Sequence, residues 1–182
     1  MGARQSPVES GQTLSATDPK SARVSAANTR GCLVSCRYGA DVRLQLDPSL
    51  QPADYPYAHT LRVRFAETDA MGIVHHSRYL PYLEEARVEY LRALGHPYHE
   101  LRSEGVDYAV LEAFVQYRLP LRFDDQVTVH LRMGATTRAT FQMAYLLTVD
   151  GEVRATAVTV HGCVNPQGKP VRMPEWLLEL GR

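Results

Sequence analysis

Two hydrophobic periods alternate along the chain from about residue 60 onward. Leu61, Val63 and Phe65 alternate with Arg62, Arg64 and Ala66, which predicts a half-buried strand over Thr60–Ala66. The spacing then widens. Leu80, Leu83, Val88, Leu91 and Leu94 interleave with Tyr79, Tyr82, Ala86 and Tyr90 at helical intervals, predicting one long helix from Arg78 to about Leu94 with a broad apolar face. Ser77 suits its N-cap, Pro81 falls in its first turn where a missing N–H costs least, and Gly95 closes it. His96 to Glu104 reads as a short second helix or turn, stopped by Gly105. The period then returns to two. Strands are predicted over Tyr108–Leu119, Gln126–Met133, Thr140–Val149 and Glu152–Val164. The third of the five predicted strands shows Val127, Val129, Leu131 and Met133 on one face and Thr128, His130 and Arg132 on the other. Asp124-Asp125 marks a turn, Asp150-Gly151 a two-residue hairpin, and Pro174–Leu180 a short terminal helix.

One strand, one long helix, then four strands predict an α+β architecture, with an antiparallel five-stranded sheet wrapped around a single helix. One helix cannot cover so wide a sheet, so a second copy is expected to pair an exposed edge.

Composition adds limits. The 182 residues suffice for one domain and a tail, here divided at 1–57 and 58–182, and 45% hydrophobic with 22% charged residues is a globular balance. A formal net charge of zero does not indicate a nucleic-acid surface. No run approaches the roughly 18 apolar residues of a membrane span. Three cysteines, spread over tail and domain, do not make a disulfide framework, so the expected compartment is the reducing cytoplasm. Residues 1–57 are rich in Ser, Ala, Thr, Arg, Gln and Pro and read as a disordered tail. A transit peptide is opposed by Glu9, Asp18 and Asp41. The start Met-Gly-Ala-Arg-Gln-Ser fits an N-myristoylation pattern without a second membrane signal, and a start codon assigned upstream of the true one is a further alternative. Cys32 and Cys36 lack the second pair that tetrahedral metal coordination needs.

Candidate chemistry gathers in the loop between the first strand and the long helix. Asp69 sits there with no apolar partner at strand or helix spacing. A helix N-terminus offers unpaired N–H groups and partial positive charge to a carbonyl oxygen that gains negative charge. A carboxylate beside such an end makes an acyl-transfer site without serine, cysteine or metal. An Asx turn or helix cap is the purely structural role for the same residue.

Arg62-Val63, four residues, Thr68-Asp69, two residues, Gly72-Ile73-Val74 and then Tyr79 form a pattern that resembles the signature of the 4-hydroxybenzoyl-CoA thioesterase family. The resemblance runs from about His59 to Leu180. It implies a hotdog fold and hydrolysis of an acyl-CoA, with no cofactor beyond the coenzyme A of the substrate. It also implies a homodimer or homotetramer with the site at a subunit interface. Asp69 would act as nucleophile or general base, and His76 would orient the thioester or move a proton. An N–H of Gly72, Ile73 or Val74 would face the carbonyl oxygen. His75 is a weaker match, and a metal site built from His75, His76 and Asp69 has no recognised ligand spacing. Phe65 departs from members that carry tyrosine. Glu84 and Glu85 are rival carboxylates, because another hotdog clade uses a helix glutamate. Tyr79, Tyr82 and Leu83 are expected in the acyl pocket, and Arg132, Arg138, Lys169 and Arg172 are candidates for the coenzyme A phosphates. Cys163 has no visible paired base. A thioesterase acting on acyl carrier protein, and a non-catalytic acyl-CoA-binding module, are the alternatives.

Overall fold

The computed structural model describes residues 46–181. Five strands, β1 (Tyr57–Arg62), β2 (Asp107–Tyr117), β3 (Gln126–Thr136), β4 (Thr140–Val149) and β5 (Glu152–Val164), form one sheet in the order β1-β3-β4-β5-β2. Every neighbouring pair is antiparallel. The long helix α1 (Tyr79–Ala93) packs on one face, and α2 (Tyr98–Ser103) and α3 (Glu175–Leu180) are short. This is the hotdog arrangement. None of the described helices is long and apolar enough to cross a membrane.

The core lies between α1 and the sheet. Tyr79, Tyr82, Leu83, Ala86, Tyr90 and Leu91 of α1 pack in one cluster with Val127, Val129 and Leu131 of β3, Met143, Tyr145 and Leu147 of β4, and Ala155 and Ala157 of β5. Each fully buried leucine here contributes on the order of 2 kcal/mol of transfer free energy. The helix stops at Gly95, whose φ of 82° places it in the left-handed region. There the His96 N–H donates to the Leu91 carbonyl and the Gly95 N–H to the Arg92 carbonyl, the paired bonds of a Schellman end. The β4–β5 hairpin turns on Asp150 (φ 51°) and Gly151 (φ 80°), both positive as a two-residue I′ turn demands.

Three expectations need correction. The first strand spans Tyr57–Arg62 and not Thr60–Ala66, because the chain turns at Arg64. The Glu67 carboxylate accepts from the Arg64 backbone N–H and guanidinium, which closes a 3-10 turn over Phe65–Glu67 and leaves Phe65 75% exposed. The long helix has Arg78 and not Ser77 at its N-cap, with no side-chain cap, and the capping side chain upstream is that of His75. Its Nδ1 accepts from the Ser77 N–H at the head of a 3-10 turn (His76–Arg78) that runs into α1. Packed structure also begins before residue 58. Tyr55 is buried against Ala144 and Leu146 on the outer face of the sheet, and Leu46 lies over Gly134 where any side chain would collide with it. The expectations for residues 1–45, Cys32 and Cys36 included, lie outside the described residues.

Candidate active site

The site is built on the loop from Glu67 to Arg78. Its backbone is tied down at nearly every step. The Asp69 N–H donates to the Ile73 carbonyl at 2.9 Å, and the Gly72 N–H to the Asp69 carbonyl at 2.9 Å. Gly72 takes a φ of 71°, which a side chain would strain. The Val74 N–H donates to the Leu121 carbonyl at 2.8 Å and the His75 N–H to the Glu67 carbonyl at 2.9 Å. Asp69 does form the Asx turn, since its Oδ1 accepts from the Met71 N–H at 2.8 Å. Its other oxygen has no hydrogen-bond partner among the described residues. The Asx turn thus occupies one oxygen of the carboxylate and leaves the second unpaired among the described residues.

That carboxylate lines a cleft of about 340 Å³ with Ile73, Val74, His76, Tyr79, Tyr117 and Arg118. Of the three expected oxyanion positions, Gly72 and Val74 spend their N–H groups on backbone carbonyls. Ile73 has no such partner among the described residues, and neither has His76 at the helix entrance. His76 is exposed, and its ring lies 4.1 Å from that of His75 with the two planes tilted by 37°. The Tyr117 hydroxyl donates to the His76 carbonyl at 3.2 Å, and its ring meets Tyr79 edge-on at 4.8 Å. Burial raises the Tyr79 hydroxyl above its ordinary pKa and so keeps it protonated.

The other expected site residues lie elsewhere. Tyr82 is turned away from the cleft and donates to Glu67 Oε2 at 2.7 Å, while Leu83 lines a separate cavity. Arg132 stands on the outer face of β3, its guanidinium 5.9 Å from the centre of the Tyr55 ring. Arg138 and Lys169 sit by the start of β4 and the end of β5, whereas Tyr117 ends β2 beside Ala155 near the start of β5. Within one chain they are at the far end of the sheet from Asp69. Arg172 falls in the same far region, just before α3. Glu84 and Glu85 are exposed on α1, and Glu85 pairs with His59 at 3.0 Å. Cys163 is buried, which pushes its thiol up to about 12. No grouping suited to a metal occurs among the described residues.

Three residues of this region did not stand out in the sequence. Tyr117 and Arg118 come to Asp69 from the end of β2, some fifty residues on, and only the sheet topology joins them. Glu67 is the third. It is 4% exposed, yet its carboxylate holds the Arg64 side chain, the Arg64 N–H and the Tyr82 hydroxyl together. Burial would raise its pKa, but the hydrogen bonds from Arg64 and Tyr82 outweigh that and hold it below the usual carboxylate value.

Comparison with known proteins places this geometry. The profile of the thioesterase-like superfamily matches residues 63–180. A crystal structure of a protein from Aquifex aeolicus is 42% identical and superposes with a TM-score of 0.66, covering 70% of this chain and all of that one. The 1,4-dihydroxy-2-naphthoyl-CoA hydrolase of Synechococcus elongatus is 30% identical over 69% of this chain and 96% of its own length. The acyl-CoA thioesterase YbgC of Haemophilus influenzae is 30% identical over 67% and 91%.

Proposed function

The chain belongs to the thioesterase-like superfamily, and on that premise we propose that it hydrolyses acyl-CoA thioesters at the Asp69 cleft. The observation that carries this reading is the half-spent Asp69 carboxylate, fixed through Oδ1 and unpaired at its other oxygen, in a cleft at the entrance of α1. The names of the relatives support the reaction class. In the nucleophilic route the free oxygen attacks the thioester carbonyl, the C–S bond breaks, coenzyme A leaves as thiolate, and water then splits the mixed anhydride. In the alternative route the carboxylate takes a proton from water as water attacks. Either way the carbonyl oxygen gains negative charge, which the free N–H groups of His76 and Ile73 can receive. His76 lines the same cleft, and in this reading it returns a proton to the departing sulfur.

Thiol release from aromatic, short, medium and long acyl-CoAs tests this. At least one ester should turn over with kcat/KM on the order of 10⁴ M⁻¹s⁻¹ or more. Release only from acyl carrier protein thioesters would move the substrate to a carrier protein. Binding of every acyl-CoA with no thiol release would overturn the enzyme reading in favour of a binding module. Arg118 is the cation that lines the cleft, and it suits a phosphate of coenzyme A. Arg118→Ala should therefore raise KM roughly tenfold and leave kcat nearly unchanged.

The assembly proposed is at least a homodimer built on β2. This strand is an edge of the sheet, eleven residues long, with Val110, Phe114 and Tyr117 exposed. Such an edge invites a second strand. Sedimentation should give a mass of two or more chains, and Phe114→Glu should return it to one.

A further inference from the structure

A second cavity, of about 330 Å³, opens between α1 and the sheet, and it shares no residue with the Asp69 cleft. Its walls are apolar at Leu80, Leu83, Val110 and Ala113. Three of its other lining side chains are buried and carry an unspent polar atom. Arg87 is 5% exposed, its Nη1 has no hydrogen-bond partner, and its guanidinium makes no ion pair among the described residues. Tyr108 is 4% exposed with an unpartnered hydroxyl, and His161 is 1% exposed with an unpartnered Nδ1. The one acid on the lining, Glu84, is exposed to water.

These facts converge on one ligand chemistry. An arginine stays charged under all ordinary conditions, and a buried charge is normally paired. His161 is neutral, because burial, helped by the Arg87 charge, pushes its pKa down to about 3. Its Nε2 lies 2.7 Å from Thr159 Oγ1, which in turn lies 3.1 Å from the Tyr145 hydroxyl, so the ring is held in place. In the tautomer whose Nε2 accepts from Thr159, Nδ1 carries the proton, and an anion in the cavity would select that tautomer. In that tautomer the cavity holds a permanent cation and two further donors, and no buried carboxylate is on its lining to meet them. The complement is an acceptor-only anion with an apolar body. The volume lies at the small end of the range of about 300–1,000 Å³ for small-molecule sites.

We propose that this cavity binds a small organic carboxylate, its carboxyl group received by Arg87, Tyr108 and His161 and its body against Leu83 and Val110. The proposal does not depend on hydrolysis at Asp69. The carboxylate could be a free acid or the far end of a dicarboxylic acyl chain, and the test separates them.

Calorimetry of the full chain with benzoate and hexanoate, against benzamide and hexanamide, reads the site directly. An acid should bind at least tenfold tighter than its amide. Arg87→Gln should weaken the acid roughly ten- to a hundredfold, and Tyr108→Phe should weaken it severalfold with the fold intact. Arg87→Gln should also melt at or above the wild-type temperature without ligand, because it removes an unpaired buried cation. A preference for adipoyl-CoA over hexanoyl-CoA that disappears in Arg87→Gln assigns the acyl-chain source. Acid binding without that preference assigns the free acid. Equal binding of acid and amide, or acid binding unchanged in Arg87→Gln, overturns the proposal. So does a variant that loses its association between copies while wild type binds no acid, since Arg87 is then paired across an interface.

Discussion

Asp69→Asn lowers kcat/KM on the best acyl-CoA by about a hundredfold or more, the lower range for a positioned acid–base or nucleophilic group. The substitution keeps the size of the side chain and an oxygen that can still accept from the Met71 N–H, so the Asx turn and the loop should survive. What it removes is the charge on the unpaired oxygen. A steady-state comparison checks the magnitude, and matching melting temperatures show that the loop has not collapsed. Comparable rates in the two proteins would rule Asp69 out and turn attention to Glu84. A single turnover in heavy-oxygen water then separates the two routes. Direct attack by water puts the label in the product acid at once. Hydrolysis of an anhydride at the enzyme carbonyl leaves the label on Asp69.

Glu67→Ala destabilises the protein by about 3 kcal/mol, or roughly 10 °C in melting temperature for a domain of this size. The reason is what it strands. The Tyr82 hydroxyl loses its partner at 2.7 Å inside the core, and the Arg64 N–H loses its own at 2.8 Å. The loop carrying Asp69 starts at this residue, so activity should fall together with stability. Acid should reproduce part of the effect. The folded pKa of Glu67 lies below its unfolded value, so its contribution is fully present above the ordinary glutamate pKa of about 4.3 and is lost as pH falls through the lower folded value. In Glu67→Gln the charge is absent at every pH. The gap in stability between wild type and Glu67→Gln should therefore narrow steadily through that acid range. A gap that stays constant would show that the carboxylate is not held as described.

Local chemistry was legible in the sequence wherever it decides the backbone. Gly95, Asp150-Gly151 and the alternation of Val127, Val129, Leu131 and Met133 each state their conformation within a few residues, and the structure follows them. The first strand misled for a physical reason. Val63 and Phe65 continue the alternation of Leu61, but a carboxylate three residues after Arg64 captured its N–H and turned the chain. Ser77 is a good cap by type, yet His75, two residues earlier, has the ring nitrogen in the right place. The site itself divides in the same way. Asp69, His76 and Tyr79 share one loop and one helix turn, so a motif could find them. Tyr117 and Arg118 reach them through the sheet, and Tyr82 leaves them because Glu67 holds it elsewhere. Nothing within one window of sequence encodes either contact.

The Asp150-Gly151 turn has a consequence for how the chain finds this structure. It joins β4 and β5, the two strands with the most continuous burial, across a two-residue gap. Closing so short a loop costs little entropy and takes microseconds. By contrast, β1 must meet β3 from Tyr57 to Leu131, and β2 must meet β5 from Asp107 to Val164. These long closures become favourable only once a partner strand exists. The central hairpin should therefore form the nucleus, with the edges added last and released first. The strand that ends at the Asp69 cleft is one of those edges, so within a single chain the candidate site is completed only when β2 docks on β5.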